Sequence, residues 1–314
     1  MSGSDPYRIV ARPGGSGFVG ILRGSRALVT LDADVTELSR VALPETPTAL
    51  CVTSANEAWV AGRYGRSLLR VELGQSSAPR ITLQRELPLA GVADLACADG
   101  QVVYVLPAEG AELLTLDRMG HELGRFPALP DGLRLLQHDG VLLEVSLGER
   151  TLRALELGKR GVVTRELGRL QHDGTLWAVD VTEWGPGGPL VAVAGVEDKP
   201  LVRAHGEFEN IDSSVWLYRL GSAGFERISE LNVSDFGLVV PKALQFRANG
   251  SELSLDVLAA GSGRLLRAAW GVGLGAPPRV RIEPAPPGVS DAVFRGDGSV
   301  VYANPLFDAW VRLD

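Results

Sequence analysis

The sequence is poor in several residue types that commonly carry chemistry. It has two Cys, two Met and four His among 314 residues, and Lys occurs only at positions 159, 199 and 242. No C-x-x-C or C-x-x-C-H motif is present, which excludes a cysteine zinc site and covalent haem attachment. No apolar run reaches 18 residues, so we predict no membrane-spanning helix. Acidic residues outnumber basic ones by 38 to 31, and the net charge of -7 argues against a nucleic-acid-binding protein.

The two cysteines lie apart in short apolar runs. Cys51 is in TALCVTS and Cys97 is in ADLACAD. Small apolar surroundings are typical of buried thiols, so we expect both cysteines to be free. The first ten residues, MSGSDPYRIV, show neither the charged nor the apolar region of a signal peptide, and the compartment stays open at this point.

Glycine and proline, by contrast, are abundant. There are 38 Gly and 19 Pro, which together make 57 of the 314 positions. Each costs about 1 to 3 kcal/mol inside a helix, so a bundle of long helices is excluded. Disorder is excluded as well, because 45% of the residues are hydrophobic and the mean hydropathy is +0.10. The composition indicates a large core with many turns.

Short strand-like runs fill most of the chain. Examples are EAWVAG (57–62), SLLRVEL (67–73) and QVVYVLP (101–107), each bounded by Gly, Pro or Asp. Grouped in fours, the runs repeat from Tyr7, Thr48, Val92, Leu133, Thr175, Val240 and Val289. The steps are 41, 44, 41, 42, 65 and 49 residues. Units of about 40 to 45 residues with four strands are propeller blades. We therefore predict one domain over 1–314, an all-β, seven-bladed β-propeller of four-stranded blades.

Turn signals support this register. Asp-Gly or Asn-Gly often separates the first two strands of a unit, as in Asp139-Gly140 and Asp297-Gly298. The seventh unit has residues for only three strands, so we expect the last blade to lack its outer strand. Either this blade is complete with three strands, or the chain is a segment cut from a longer protein; we favour the second, since proteins usually cover an open strand edge.

One motif is misleading. Residues 15–20, GSGFVG, satisfy the G-x-G-x-x-G pattern of dinucleotide-binding loops. That site needs a helix after the third glycine, whereas ILRGSRALVTLD follows here. We interpret the segment as a hairpin.

The step of 65 residues contains the one large insertion, Val196–Asp212, between the second and third strands of blade five. Long segments of this kind in compact domains are usually functional, and we expect a loop. Its carboxylates leave calcium open as a cofactor, but no EF-hand spacing supports it, and we expect no cofactor and no metal in this segment. We assign no catalytic residue. The loops between second and third strands and the loops between blades share one face of a propeller, and we place a binding rim on that face. Its candidate residues are Arg63, Tyr64, Arg66, Glu197, Asp198, Arg203, His205, Phe208, Asp212, Asn232, Lys242 and Asn304.

The last repeat, DGSVVYANPLFDAWVRLD, resembles the YVTN-type repeat of bacterial propellers related to YncE, at Asp297, Gly298, Tyr302, Asn304, Asp308 and Asp314. EDKPL followed by GEFENIDSSVWLYR and NVSDFGLVVPKAL is similar to propeller regions that precede a di-haem, cytochrome c peroxidase-like domain in large exported bacterial proteins. These resemblances imply a periplasmic or extracellular location and a haem domain that follows this segment.

We therefore expect a non-catalytic binding or scaffolding propeller in an exported, cytochrome-containing bacterial protein. Its partner would be a protein domain or a small ligand at the loop-rich face. The alternative is a propeller enzyme of the hydrolase or lactonase type with a metal in the axial funnel. A third hypothesis is a sugar- or peptide-binding module, which needs exposed aromatic side chains on the rim.

Overall fold

A computed structural model describes residues 4–14, 17–74, 78–98, 101–203, 206–249, 252–271 and 273–314. These residues form seven antiparallel sheets, in which consecutive strands are neighbours. Six sheets have four strands and the last has three. The predicted seven-bladed β-propeller with a three-stranded last blade is therefore confirmed.

Blades one to four are built as follows. Blade 1 contains β1 (Pro6–Ala11), β2 (Phe18–Leu22), β3 (Ala27–Leu31) and β4 (Glu37–Ala42). Blade 2 contains β5 (Ala49–Ser54), β6 (Glu57–Ala61), β7 (Ser67–Glu72) and β8 (Arg80–Glu86). Blade 3 contains β9 (Val92–Ala98), β10 (Val102–Pro107), β11 (Glu112–Asp117) and β12 (Glu122–Pro127). Blade 4 contains β13 (Gly132–His138), β14 (Val141–Ser146), β15 (Thr151–Leu157) and β16 (Val163–Gln171).

The remaining blades follow the same order. Blade 5 contains β17 (Thr175–Thr182), β18 (Leu190–Arg203), β19 (Gly206–Gly221) and β20 (Gly224–Asn232). A 3-10 helix (Val233–Phe236) follows it. Blade 6 contains β21 (Pro241–Asn249), β22 (Glu252–Ala259), β23 (Arg264–Trp270) and β24 (Arg279–Pro284). Blade 7 contains β25 (Asp291–Phe294), β26 (Val300–Asn304) and β27 (Ala309–Leu313).

Two compact units divide the chain. Unit 1 comprises residues 1–149, 154–166 and 290–314, and unit 2 comprises residues 150–153 and 167–289. Unit 1 holds blades 1 to 3, blade 7 and most of blade 4, and unit 2 holds blades 5 and 6. The prediction of a single domain over the whole chain stays a prediction. Among the described residues, no helix is long and apolar enough to cross a membrane.

The cores of the blades are mostly apolar, and their largest fully buried side chains are Trp and Tyr. Trp59, Tyr104 and Tyr302 on the second strands of blades 2, 3 and 7 are each 0% exposed. Trp59 packs in one cluster with Leu95, Val103 and Val105 of blade 3, so its side chain lies between blades 2 and 3.

A pair of hairpins tests the predicted turns. Asp139 and Gly140 have positive φ angles of 37° and 81°, and β13 pairs with β14 across them from His138 to Val141. Both central residues of a type I′ turn need positive φ, so the Asp-Gly sequence selects this two-residue hairpin. The segment after Gly17 continues as strands β2 and β3, which confirms the hairpin interpretation of the glycine-rich motif.

The first and fourth strands carry β-bulges, which the sequence alone did not reveal. In five blades the pairing of the first strand skips one residue near its start: Tyr7, Ala93, Leu133, Trp177 and Lys242. In four blades the pairing of the outer strand also skips one residue: Leu38, Thr82, Leu123 and Ile228. A bulge twists an exposed strand edge away from other chains and re-aims the side chain of the skipped residue.

The expectation of two free thiols is wrong. Cys51 on β5 and Cys97 on β9 form a disulfide, with a Cα–Cα distance of 5.8 Å. The two runs occupy the first strands of successive blades, and this places the cysteines side by side although they are 46 residues apart. Sequence spacing could not show that proximity, because it depends on the blade register.

The insertion in blade five is also not a loop. Its two halves extend β18 and β19, which pair without a register shift from Leu190 opposite Arg219 to Arg203 opposite Gly206. The prediction of a loop is wrong because the backbone groups of both halves satisfy one another as an antiparallel ribbon.

Candidate functional site

Unit 1 presents a hydrogen-bonded loop with an exposed aromatic residue. The turn between β6 and β7 carries Tyr64, which is 88% exposed, between Arg63 and Arg66. The turn is fixed by Glu45, whose carboxylate accepts hydrogen bonds from the Ser67 backbone N–H (3.3 Å) and hydroxyl (3.1 Å). An exposed aromatic ring on a fixed backbone loses little conformational entropy on binding.

Close approach to the next strand holds the same turn from the other side. The Val92 N–H donates to the Gly62 carbonyl oxygen at 3.0 Å. A Cβ atom on Gly91 would lie 1.8 Å from the Arg63 carbonyl oxygen, so glycine is required there. The Arg66 guanidinium is 67% exposed and lies 3.9 Å from Glu86, a distance that leaves it available to other anions.

Blade 7 adds a second exposed turn to unit 1. Between β26 and β27, Leu306 is 64% and Phe307 58% exposed. The neighbouring Asp308 carboxylate accepts hydrogen bonds from the N–H groups of Ser4 (2.9 Å) and Asp5 (2.7 Å). This turn is therefore tied to the segment that enters blade 1.

The turn of blade 1 belongs to the same assembly. The Arg23 N–H donates to the Asp5 carbonyl, and the Arg23 guanidinium pairs with the Asp5 carboxylate at 2.9 Å. Arg23 also lies over the Tyr7 ring, 4.1 Å from its centroid. Because strands alternate in direction, the turns between second and third strands lie at one end of every blade. We call three of these turns in unit 1 the rim turns: residues 305–308 of blade 7, 23–26 of blade 1 and 62–66 of blade 2.

Asn304, a predicted rim residue, is buried beneath its turn. It is 0% exposed, and its side-chain oxygen accepts the Phe307 N–H at 3.1 Å. The amide thereby shapes the turn that presents Leu306 and Phe307, and a direct binding role for Asn304 stays a prediction.

A buried ion cluster in unit 1 was missed by the sequence reasoning. Arg8 Nη2 lies 2.6 Å from Asp94 Oδ1, and Arg134 Nη2 lies 3.5 Å from Asp291 Oδ1. Arg8 Nη1 is also 3.9 Å from Asp291 Oδ1. The other carboxylate oxygens accept backbone N–H groups, Asp94 from Leu135 and Asp291 from Ile9.

This cluster joins the first strands of blades 1, 3, 4 and 7. Burial raises the pKa of Asp94 to about 6, and the Arg8 charge opposes that rise. Burial likewise raises the pKa of Asp291. Since both carboxylates have partners on their two oxygens, we interpret the cluster as a structural clasp.

A signal for the clasp exists in the repeats. Arg8, Asp94 and Arg134 each follow the bulge of their strand, and each pairs with the second-last residue of the next strand. Asp291 has the same pairing position in blade 7. Aligning YRIV, VADLA, LRLL and SDAVF by blade register places a charged residue at one column of otherwise apolar strands.

In unit 2, two bulge residues meet. Trp177 on β17 and Lys242 on β21 are the equivalent skipped residues of blades 5 and 6. The Lys242 Nζ atom lies 3.1 Å from the centroid of the Trp177 ring. Lys242 was a predicted site residue, whereas Trp177 was not, because only the bulges bring the two side chains together.

Two groups in this region have altered ionisation. Burial lowers the pKa of Lys242 to about 8. Burial raises the pKa of Asp180, on the same strand as Trp177, to about 7, and its Oδ2 accepts the Phe246 N–H at 2.7 Å. Perturbed titratable groups of this kind are typical of sites that bind or react.

The other predicted residues have mixed outcomes. Glu197 and Asp212 face each other in register across β18 and β19 and are partly buried. Asn232 caps the 3-10 helix, its side chain accepting the Ser234 N–H at 2.9 Å. His205 lies outside the described residues, and so do the side chains of Asp198, Arg203 and Phe208.

A groove in unit 2 adjoins Asn232. It has a volume of about 520 Å³ and runs between the outer strand β20 and the segment that links β23 to β24. Its lining combines apolar side chains such as Phe236 and Leu274 with the carboxylates of Glu230 and Asp235.

His172 has a structural place in blade 5. Its Nε2 atom is 2.7 Å from the Tyr218 hydroxyl, and its ring lies 4.2 Å from that of Trp216. Burial lowers the pKa of His172, which favours the neutral ring. We therefore regard His172 as a packing residue.

Comparison with known proteins identifies the fold. No family model matches the chain, and no curated protein sequence matches it. Hydrazine synthase of Kuenenia stuttgartiensis matches with a TM-score of 0.78 at 16% identity, over 100% of this chain and 96% of that chain. A streptogramin B lyase matches with a TM-score of 0.65 at 13% identity, over 97% and 92% of the two chains.

A third match is the periplasmic gluconolactonase PpgL of Pseudomonas aeruginosa. Its TM-score is 0.60 at 12% identity, over 90% of this chain and 89% of that chain. These proteins differ in function, and propellers host many unrelated activities. At such identities the likeness establishes the β-propeller fold alone.

Proposed function

We propose that this chain is a non-catalytic binding propeller of an exported bacterial protein, and that it binds a partner protein through the rim turns of unit 1. The observation that carries the proposal is Tyr64, which is 88% exposed on a turn that Glu45 and Gly91 hold in place. Tyr and Arg are enriched among the residues that dominate protein interfaces.

The composition of the rim turns favours an acidic partner with apolar residues. Arg26 and Arg66 are exposed, and Arg63 is partly exposed, although the chain as a whole has a net charge of -7. Leu306 and Phe307 add exposed apolar surface in the same unit. Positive charge around apolar anchors steers an acidic partner and then buries apolar area.

The Cys51–Cys97 disulfide supports export. Disulfides persist in the periplasm and outside the cell and are rare in the cytosol of most organisms. A periplasmic gluconolactonase among the structural matches agrees with that location. The resemblance to YVTN repeats and to propellers that precede di-haem domains implies the same compartment, and a haem domain in the parent protein belongs to this proposal.

Affinity capture tests the binding role. The purified chain is immobilised and exposed to a soluble extract of the source organism, and captured proteins are quantified by mass spectrometry. We expect at least one protein whose capture falls tenfold or more with Tyr64→Ala and with Arg66→Glu. Leu38→Ala is the matched control, because Leu38 is 61% exposed on the outer strand of blade 1, away from the rim turns.

A captured set that Tyr64→Ala and Leu38→Ala change equally contradicts the proposal. Lactone hydrolysis that needs a bound metal would favour the enzyme alternative instead. The export component has its own test. A thiol-alkylating reagent added to intact cells should leave Cys51 and Cys97 unmodified until a reductant is added. Alkylation without reductant would place the chain in a reducing compartment.

A further inference from the structure

The groove beside β20 in unit 2 is lined by the edge of a strand. Five consecutive residues of β20, Ile228–Asn232, form one of its walls. Successive side chains of a strand point to opposite faces, so five residues in a row share one groove where the groove runs along the backbone of the strand. None of the five is buried. The main chain of β20, rather than one row of its side chains, therefore forms this wall.

This edge of β20 has unused hydrogen-bonding groups. β20 is the outermost strand of its sheet and pairs with β19. After the bulge at Ile228, the pairing is regular from Leu217 opposite Ser229 to Ser214 opposite Asn232. Among the described residues, no backbone group of residues 228–231 bonds to a segment other than β19. Every second residue of such an edge turns its N–H and C=O outward, and a further strand can pair with these groups.

The opposite wall is anchored in the core and is poor in hydrogen-bond donors. It belongs to the segment between β23 and β24, where Leu274 is 8% exposed and packs in the same core cluster as Trp270. Pro277 and Pro278 follow on this wall. Proline has no N–H, so this wall provides apolar contact rather than a second row of ladder hydrogen bonds. The groove therefore suits a single extended chain that pairs with β20 alone.

The side chains of the groove indicate what that extended chain carries. Phe236 and Leu231 are partly buried, pack against the core of unit 2 and add apolar surface. Glu230 forms an ion pair with Arg227, which compensates its charge. Asp235 is exposed, and its carboxylate has no hydrogen bond or ion pair within the described ranges. None of the twelve described residues that line the groove is basic, so an apolar and basic segment complements this surface.

We propose that the groove is a docking site for an extended peptide segment of a partner protein, with apolar and basic side chains, which adds to β20 as a fifth strand of blade 5. The peptide backbone pairs with the edge of β20, an apolar side chain packs on Phe236, and a lysine or arginine binds Asp235. Strand addition of this kind takes its affinity from main-chain hydrogen bonds and its specificity from side-chain contacts. The site uses residues of unit 2 only and takes a basic segment, whereas the rim turns of unit 1 favour an acidic partner.

Synthetic peptides test the proposal on the full chain. The probe is a fluorescein-labelled hexapeptide, KVKVKV, whose affinity is measured by fluorescence anisotropy. One control peptide has the same sequence with N-methyl groups on its two central residues, which remove one N–H from each edge and keep the charge. The other control is EVEVEV. We expect KVKVKV to bind about tenfold or more tightly than either control, because it alone supplies both the ladder hydrogen bonds and the positive charge.

Two results with these peptides would overturn the proposal. One is equal binding of KVKVKV and its N-methylated form, which would show that the backbone does not pair. The other is the absence of KVKVKV binding up to about 1 mM. Hydrogen–deuterium exchange locates the bound peptide: KVKVKV should slow the exchange of the amides of residues 228–232 about fivefold or more. Binding that leaves these amides unprotected would also overturn the proposal.

A pair of glycine variants tests the groove itself. Gly275 lines the groove and Gly271 does not, and both are exposed with no atom within 4 Å of the Cβ position. Gly275→Trp fills the groove and should weaken KVKVKV binding about tenfold or more, whereas Gly271→Trp should leave it unchanged. Equal effects of the two variants would place the peptide elsewhere. A dimer of the wild-type chain in sedimentation equilibrium that Gly275→Trp dissociates would assign the groove to a second copy, and this too would overturn the proposal.

The charge contact has a separate pair of variants. Asp235→Asn should weaken KVKVKV binding about three- to tenfold. Asp173→Asn removes the same charge from an exposed residue outside the groove lining and is the matched control. Equal weakening by both variants would show that the peptide responds to net charge and would refute the role of Asp235. Tyr64→Ala should leave KVKVKV binding unchanged, so this site and the rim turns can fail independently.

Discussion

The Arg8 guanidinium and the Asp94 carboxylate join the first strands of blades 1 and 3 through an ion pair of 2.6 Å. The two residues are 86 positions apart, and their side chains are only 12% and 3% exposed. Asp94 Oδ2 in turn accepts the Leu135 N–H of blade 4 at 2.9 Å. The Asp94 carboxylate thereby connects three blades of unit 1. The Arg8 guanidinium on blade 1 compensates the negative charge of that carboxylate.

Arg8→Met should destabilise the protein by about 3 to 5 kcal/mol, because it leaves the buried Asp94 carboxylate without its cation. The measurement is urea unfolding at pH 7.5. Arg40→Ala is the control: its pair with Glu37 is solvent-exposed, and its loss should cost less than about 1 kcal/mol. Similar losses in the two variants would contradict the structural clasp.

The double variant Arg8→Met/Asp94→Leu sharpens this test. Replacing both charges by apolar side chains removes the uncompensated carboxylate, and it should recover much of the stability that Arg8→Met loses. If the double variant is no more stable than the single one, the loss reflects packing around Arg8 rather than charge.

Asp180→Asn should stabilise the protein, and more so as the pH rises. Burial raises the pKa of Asp180 to about 7 in the folded state, above its unfolded value near 3.8. A raised acid pKa favours folding while the group is protonated, and this contribution is lost as the pH rises through about 7. Asparagine can still accept the Phe246 N–H.

The expected gain is under about 1 kcal/mol at pH 4 and at most about 4 kcal/mol at pH 8. Chemical unfolding of both proteins at the two pH values measures it. A gain independent of pH would show that the pKa of Asp180 does not change on folding. A loss at pH 8 would show that the Asp180 carboxylate is ionised and stabilised in the folded protein.

The sequence predicts features that depend on neighbouring residues better than features that depend on contacts between distant segments. The seven predicted unit starts fall within two residues of the first strands, because turn residues and apolar runs are local signals. Tyr64, Arg63 and Arg66 could be placed on a turn for the same reason. The link between Trp177 and Lys242 could not, since it arises from two bulges that no local pattern marks.

Two further misses share one cause. The Cys51–Cys97 bond and the Arg8–Asp94 pair each link the first strands of different blades, so they depend on the register between distant segments. The ribbon at residues 196–212 failed differently: its charged residues resemble a solvated loop, while its backbone pairs as β18 and β19. Consecutive charged residues such as Glu197, Asp198 and Lys199 interrupt the alternation of apolar and polar residues that marks a half-buried strand.

Removal of the disulfide should lower the stability of the chain by about 2 to 4 kcal/mol, because the bond closes a loop across 46 residues of the unfolded chain. Cys51→Ser/Cys97→Ser and the reduced wild-type protein should lose similar amounts in guanidinium unfolding. The oxidised wild type in the same buffer is the reference. An unchanged midpoint after reduction would mean that the thiols are free in the purified protein.

Gly91→Ala should displace the rim turn of blade 2. The added Cβ would lie 1.8 Å from the Arg63 carbonyl oxygen, which belongs to the backbone and cannot rotate away. Either strand β9 or the turn that carries Tyr64 must shift, at a cost of about 1 to 3 kcal/mol. Gly221→Ala is the matched control, since no atom lies within 4 Å of the Cβ position at Gly221.

Urea unfolding should show a lower stability for Gly91→Ala than for Gly221→Ala, and capture of the rim partner should fall only for Gly91→Ala. A Gly91→Ala protein with wild-type stability and capture would show that the close approach of β9 does not fix the turn.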